Sequence, residues 1–206
     1  MLITLHPTHP ETRKIRTAVE ALRSGAVIIC PTDTVYAYVC SSESARAIEE
    51  VARLKGVKPH KAELSLICAD LSQLSAYARS VDTATFRLMK RALPGPYTFI
   101  LQASAAIPKL FKNNRRTVGI RVPDHPVPMA LVNELGHALV AASVHDPDQL
   151  LDYTADPERI DEHIGHQVEF VLDAGVCGLE GSTIIDVSDG APVILREGKG
   201  PVDDLF

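Results

Sequence analysis

Apolar positions along the chain follow two rhythms that alternate from one end to the other. Between Glu11 and Arg23 they recur three and four apart, at Ile15, Ala18, Val19 and Leu22, which predicts an amphipathic helix stopped by Gly25. The next apolar run, Ala26 to Cys30, is unbroken and reads as a buried strand; it stops at Pro31, which cannot donate to a sheet ladder. Helical spacing returns from about Glu43 to Leu54, with Ala45, Ile48, Val51 and Ala52 on one face, and again from Asp82 to Ala92 and near Val127 to Glu134. Shorter helices are expected where Asp70 caps a turn through Leu74, near Pro108 to Lys112, and where Asp156-Pro157-Glu158 opens a helix reaching about His163. The remaining apolar runs predict strands at Leu2 to Leu5, Val35 to Cys40, Leu64 to Cys68, Tyr97 to Leu101 and Thr117 to Val122. Four more follow at Ala138 to Ser143, Val168 to Leu172, Ser182 to Val187 and Pro192 to Arg196.

Strands and helices interleaved in this way predict an α/β fold: a single domain over residues 1–206, with an open twisted sheet of mixed parallel and antiparallel strands and flanking helices. Neither an internal repeat nor a linker divides it.

Composition narrows the class. Apolar residues at 46% and charged residues at 23% match a globular chain, and no run approaches the roughly 20 apolar residues of a membrane span. Met1 to Leu5 is too short for a secretory signal and lacks a basic segment before it, so the expectation is a cytoplasmic protein that makes no membrane contact. The four cysteines, Cys30, Cys40, Cys68 and Cys177, are far apart and mostly in apolar surroundings, which predicts buried reduced thiols. A net charge of −5 argues against a general nucleic-acid coat protein, although Lys109, Lys112, Arg115 and Arg116 form a local basic cluster. That cluster is read either as a solvated loop or as a place to hold RNA or phosphate.

Candidate chemistry gathers at strand ends. Thr32, Asp33 and Thr34 follow the strand ending at Cys30, where ligands of open α/β sheets are expected, although Thr and Asp also bond locally in capped turns. Lys55 follows a helix, Arg121 and Ser143 end strands, Ser182 and Thr183 follow Gly181, and Arg196 ends the last strand. Cations and hydroxyls of this kind suit a phosphate or carboxylate ligand. The glycine-rich signatures of P-loop and Rossmann proteins are absent, as is G-x-S-x-G, and Ser143-Val144-His145-Asp146 is too local for a hydrolase triad. Residues two apart on a strand share a face, so Ser143 and His145 are expected to meet one ligand. His163 and His166 lack a partner set at zinc spacing, and no metal site is predicted in the chain.

The motifs Pro31-Thr32-Asp33-Thr34-Val35-Tyr36, Leu54-Lys55-Gly56, Pro94-Gly95-Pro96-Tyr97-Thr98, Val118-Gly119-Ile120-Arg121-Val122-Pro123, Ser182-Thr183-Ile184-Ile185-Asp186 and Arg196-Glu197-Gly198 occur in one order across nearly the whole chain. Together they resemble the YrdC-like family of L-threonylcarbamoyladenylate synthases, and its YciO branch in particular. The resemblance implies an open α/β fold and an enzyme that condenses L-threonine, bicarbonate and ATP, with Mg²⁺, into threonylcarbamoyl-AMP for the t6A modification of tRNA. It implies that Thr32, Thr34 and Arg121 bind the amino acid, and that Lys55, Ser143, His145, Ser182 and Arg196 bind the nucleotide. Lys55 and Ser143 stand as the candidate catalytic residues. Three positions depart from the usual family pattern: Val57 where the Lys-Gly-Arg-Pro motif has arginine, His145 where Ser-Ala-Asn has its amide, and Cys68 where a histidine is common. The departures motivate an alternative, a protein of the YciO branch that binds double-stranded or structured RNA through Lys109, Lys112, Arg115 and Arg116.

Overall fold

A computed structural model describes residues 1–57, 64–107, 116–144, 152–203 and 205. The chain opens with β1 (Leu2–Thr4), α1 (Thr12–Arg23), β2 (Ile28–Cys30), β3 (Ala37–Ser41) and α2 (Ala45–Leu54). It continues through β4 (Ser65–Ile67), α3 (Leu71–Tyr77), α4 (Thr83–Ala92), β5 (Tyr97–Gln102) and β6 (Thr117–Arg121). The last third holds α5 (Pro126–Leu135), β7 (Leu139–Ser143), α6 (Pro157–Ile164), β8 (Val171–Asp173), β9 (Thr183–Asp186) and β10 (Val193–Arg196). The expected helix at Pro108 to Lys112 lies outside the described residues.

Local chemistry explains the helix starts. Ser44, Asp70, Asp82 and Asp156 each accept a backbone N–H of the following turn, and Pro157 occupies the first turn of α6, where its missing N–H costs nothing. At the end of α1, Gly25 takes φ +86°, the left-handed conformation in which a side chain would be strained. The buried stripe of α2 is Ala47, Ile48, Val51 and Ala52, so the expectation for Ala45 is corrected: it is exposed. At about 100° per residue, Ala45 lies roughly a quarter turn from the centre of that stripe.

The ten strands among the described residues form one sheet in the order β1-β8-β2-β3-β7-β4-β6-β5-β9-β10. Pairing is parallel for β1 with β8, β8 with β2, β4 with β6 and β5 with β9, and antiparallel elsewhere, so the sheet is mixed as the sequence implies. Observed strands start or stop a residue or two away from the apolar runs, because the ladder ends where partners end; Val168 to Leu172 becomes Val171–Asp173, preceded by a tight turn at Gly165–Gln167.

Alternation along the strands sends side chains to two faces. The back face buries Ile29, Tyr38, Leu66, Phe99, Leu101, Ile120, Val140 and Ile185 against α2, α3, α4 and α6. The front face buries Ile28, Cys30, Ala37, Val39, Ile67, Leu139 and Leu172 against α1 and α5. Among the described residues, the front cluster takes nothing from β5, β6, β9 or β10. Among the described residues these four strands carry no apolar cover on their front side, and polar strand positions gather there.

Candidate functional site

On the uncovered half, alternation places Thr117, Gly119 and Arg121 of β6 and Thr98 of β5 toward the front, since Val118, Ile120, Phe99 and Leu101 all belong to the back cluster. Gly119 is tight against its neighbours: a Cβ there would stand 3.2 Å from Thr98 Cγ2 and 3.6 Å from Ser65 Cβ. Thr98 Oγ1 and Ser182 Oγ, both buried, are 2.7 Å apart and share a hydrogen bond. The floor of the site is thus made of small polar side chains.

Its organising contact is made by the loop between β2 and β3. Thr32 Oγ1 donates to the Val35 carbonyl at 2.6 Å and accepts the Thr34 N–H at 3.1 Å, so this threonine shapes the turn through its own hydroxyl. The loop folds over the sheet as far as β6, three strand positions from β3, where Arg121 Nη2 donates to Asp33 Oδ1 at 2.7 Å and to Thr34 Oγ1 at 2.9 Å. Both side chains of the ion pair are buried, at 8% and 7% exposure. Asp33 Oδ2 accepts the Asp124 N–H at 3.0 Å. Arg121 Nε is a buried donor without a hydrogen-bond partner among the described residues.

Burial pushes the Arg121 guanidinium below its ordinary pKa; the Asp33 carboxylate pulls the other way, and the nearby positive charge of Arg196 adds to the push. Arginine nevertheless stays charged, so this part of the sheet holds a buried cation whose Nε–H has no partner among the described residues. A second cation follows from a bulge in β10. Ile194 pairs with Ile185 and Arg196 with Ile184, leaving Leu195 as the extra residue. Arg196 then donates to the Ser182 carbonyl from Nη2 at 2.9 Å and from Nε at 3.3 Å.

A third cation, Lys199, is held by the segment after β10. Lys199 N donates to the Gly181 carbonyl at 2.9 Å and Gly198 N to Thr183 Oγ1 at 3.0 Å. Only glycine fits at 198, since a Cβ would fall 2.4 Å from the Gly181 oxygen. Lys199 Nζ donates to the Asp33 carbonyl. His125 lies close by: its Nδ1 accepts the Val127 N–H at 3.2 Å and caps α5, and burial lowers its pKa against the opposing pull of Asp33 and Asp124.

Cys30 and Cys177 line the same loop, donating weakly to the carbonyls of Pro31 and Thr32. Burial pushes both thiols up, Cys177 to about 11, which marks them as resting thiols. All four cysteines are free; Cys30, Cys40 and Cys68 are buried as expected, while Cys177 is only half-buried.

The structure brings together Thr32, Thr34, Arg121, Ser182 and Arg196 of the expected residues. Lys55 caps the C-terminus of α2, a helix of the back face, and is half-buried and bonded; Ser143 ends β7 opposite Ala37 and is exposed. Val57 is 41% exposed, so it does not pack into a wall. Arg116 is described, with φ 54°, whereas His145, Lys109, Lys112 and Arg115 lie outside the described residues. Sequence reasoning missed the partnering of Asp33, the cap made by His125, and Lys199. The signal for Lys199, a lysine between Gly198 and Gly200 directly after Arg196-Glu197, is weak without the fold.

The structure is thus a mixed open-sheet α/β protein in which a buried arginine, a bulge-aimed arginine and a tethered lysine gather around a hydroxyl-lined loop. The family model Sua5_yciO_yrdC, described as telomere recombination, matches residues 20–198. The chain belongs to this Sua5/YciO/YrdC family. It is 40% identical to the protein YciO of Escherichia coli strain K12, over 96% of this chain and 95% of that one. The crystal structure of Escherichia coli YciO superposes with a TM-score of 0.92, covering 100% of this chain and 99% of that chain at 38% identity. More distantly, the chain is 28% identical to a threonylcarbamoyl-AMP synthase of Pyrococcus abyssi, over 95% of its own length and 57% of the relative's. A crystal structure of Pyrococcus abyssi Sua5 complexed with L-threonine matches with a TM-score of 0.87 and 26% identity, covering 96% of this chain and 57% of that chain.

Proposed function

We propose that this chain is a threonylcarbamoyl-AMP synthase-like nucleotidyltransferase, making threonylcarbamoyl-AMP from L-threonine, bicarbonate and ATP for tRNA t6A modification. The observation that carries the reading is the buried Arg121, clamped to Asp33 and Thr34 yet keeping an unpartnered N–H in the loop that supplies the threonine-site hydroxyls. In the reaction the threonine amine forms its N–C bond to bicarbonate as a C–O bond breaks and water leaves, giving a carbamate whose oxygen attacks the α-phosphorus of ATP as the bond to pyrophosphate breaks. No covalent enzyme intermediate is needed, so catalysis is positioning and charge neutralisation. Thr32, Thr34 and Arg121 hold the amino acid; Lys55, Ser143, His145, Ser182 and Arg196 hold the nucleotide and its phosphates.

Among the described residues no group of three or more His, Cys, Asp or Glu side chains is placed to hold a metal ion. Mg²⁺ enters this reading with ATP, as the family resemblance implies, neutralising the phosphates there. No helix among the described residues is long and apolar enough to cross a membrane. The RNA-binding alternative rests on Lys109, Lys112, Arg115 and Arg116, of which Arg116 alone is among the described residues, and no described feature favours it over the enzyme.

Incubation with Mg²⁺-ATP, L-threonine and bicarbonate is expected to release pyrophosphate and yield threonylcarbamoyl-AMP, detected by mass. Pyrophosphate release no greater than in a protein-free blank overturns the proposal. Lys55→Ala is expected to weaken ATP binding by about 1.5–3 kcal/mol if the lysine makes a charge-assisted bond; unchanged affinity removes Lys55 from the nucleotide site.

A further inference from the structure

We propose that Lys199 is a specificity-determining residue of this site, which recognises the carboxylate of the amino-acid substrate. This rests on the synthase-like reading above and adds a residue outside the motifs that led to it.

Three observations point there. The first is tethering: Lys199 sits on a strap closed at both sides, by Gly198 N on Thr183 Oγ1 and by Thr183 Oγ1 donating to the Gly200 carbonyl at 2.6 Å, while Tyr97 Oη holds the Pro201 carbonyl at 2.8 Å. The backbone of an otherwise exposed lysine is thus fixed, and its side chain crosses to a loop 166 residues earlier. The second is spare donor capacity. An ammonium has three N–H groups, and Asp33 offers Lys199 only its backbone oxygen, because the Asp33 carboxylate is committed to Arg121 and to the Asp124 N–H. The third is charge. Arg121 and Lys199 both touch Asp33, and Arg196 lies close enough to press on Arg121, so three cations surround one engaged carboxylate. A positive surplus beside an unpartnered arginine N–H on the threonine-site loop fits a bound carboxylate. Lys199 moves from the Asp33 carbonyl onto that carboxylate, while Arg121 stays in place.

The test is calorimetric titration with L-threonine and with L-threoninamide, which replaces the carboxylate by a neutral amide, in the presence of a non-hydrolysable ATP analogue. The wild-type protein is expected to prefer threonine. Lys199→Gln should cut that preference about tenfold, the size of one charge-assisted bond, and Lys199→Arg should keep most of it. A purely structural strap residue would weaken both ligands together and leave the ratio alone. An unchanged ratio in Lys199→Gln, with threonine bound by the wild type, overturns the assignment and leaves the synthase-like reading standing. Loss of affinity for the nucleotide analogue alone also overturns it, moving Lys199 to the phosphates. A wild-type protein that binds neither threonine nor threoninamide overturns both.

Discussion

The two halves of the front face are made by the same sheet and the same alternation, yet they are opposite in character. Under α1 and α5, the central front-facing strand positions are apolar, Ile28 and Cys30 on β2, Ala37 and Val39 on β3, Leu139 and Ala141 on β7, with Ser41 and Ser143 only at the strand ends. Four strands across, the equivalent positions include Thr98, Gly119, Arg121 and the neighbouring Ser182, alongside Ile100 and Ile184. The second half forgoes packing on one side, at about 1.5–3 kcal/mol for each large apolar side chain it does not bury. Fully buried Phe99, Ile120 and Ile185 on the back face compensate for that loss. Among the described residues, this half of the sheet has no helix on its front and is anchored from behind.

The sharpest way to break the comparison is at the buried pair of Arg121 and Asp33. Asp33→Ala leaves the Arg121 guanidinium buried and uncompensated, which should cost about 3–5 kcal/mol in a urea melt; a loss below about 1 kcal/mol would mean that water reaches the pair. On the covered half, Leu131→Ala in α5 opens a cavity and should cost about 2–5 kcal/mol, with threonine affinity unchanged. Weaker threonine binding in that variant would show the two halves to be mechanically coupled.

His125 stands where the halves meet, and its effect depends on pH. Its folded pKa lies below its ordinary value near 6.5, so above that pH neither state is protonated and stability is flat. As pH falls through about 6.5 the unfolded chain takes the proton first, and stability drops until pH passes below the folded value. Protonation also removes the Nδ1 acceptor that caps α5 and puts a cation at a helix N-terminus. Between pH 7 and 5 the wild type should lose more stability than His125→Asn, with the cap itself worth about 0.5–2 kcal/mol; parallel pH profiles would refute this. The smallest expected effect is that of Thr98→Val, about 1 kcal/mol, from stranding the Ser182 hydroxyl. Denaturant midpoints that match the wild type would show that hydroxyl to be satisfied elsewhere.

Much of this was legible in the chain. The caps at Asp70, Asp82 and Asp156 and the stripe Ile15, Ala18, Val19, Leu22 act over one or two turns, so they place α1, α3, α4 and α6 without reference to the rest. The alternation Thr117-Val118-Gly119-Ile120-Arg121 even carries the bare half in plain view, apolar residues back and polar ones front. What local pattern cannot supply is partnership across distance. Arg121 and Asp33 are 88 residues apart, and Lys199 meets Asp33 across most of the chain, so neither contact leaves a spacing to read. The edge of a stripe is similarly decided by what a helix lies on, which is how Ala47 replaced Ala45.

The extra residue at Leu195 makes the last strand sensitive to an insertion in a way that it is not to substitutions or to the loss of that residue. A strand counts in twos, and the bulge is a slip of one in that count. Many replacements at 195 preserve the slip, because the side chain is exposed and the backbone does the work. Removing the residue restores the count with Arg196 next after Ile194, still opposite Ile184 and on the side from which it reaches the Ser182 carbonyl. A residue inserted between Leu195 and Arg196 would instead carry Arg196 one pair further, turn its guanidinium to the other side of the sheet and set Lys199 out of phase with Asp33. A single codon gained there would silence two cations at once without changing either of them.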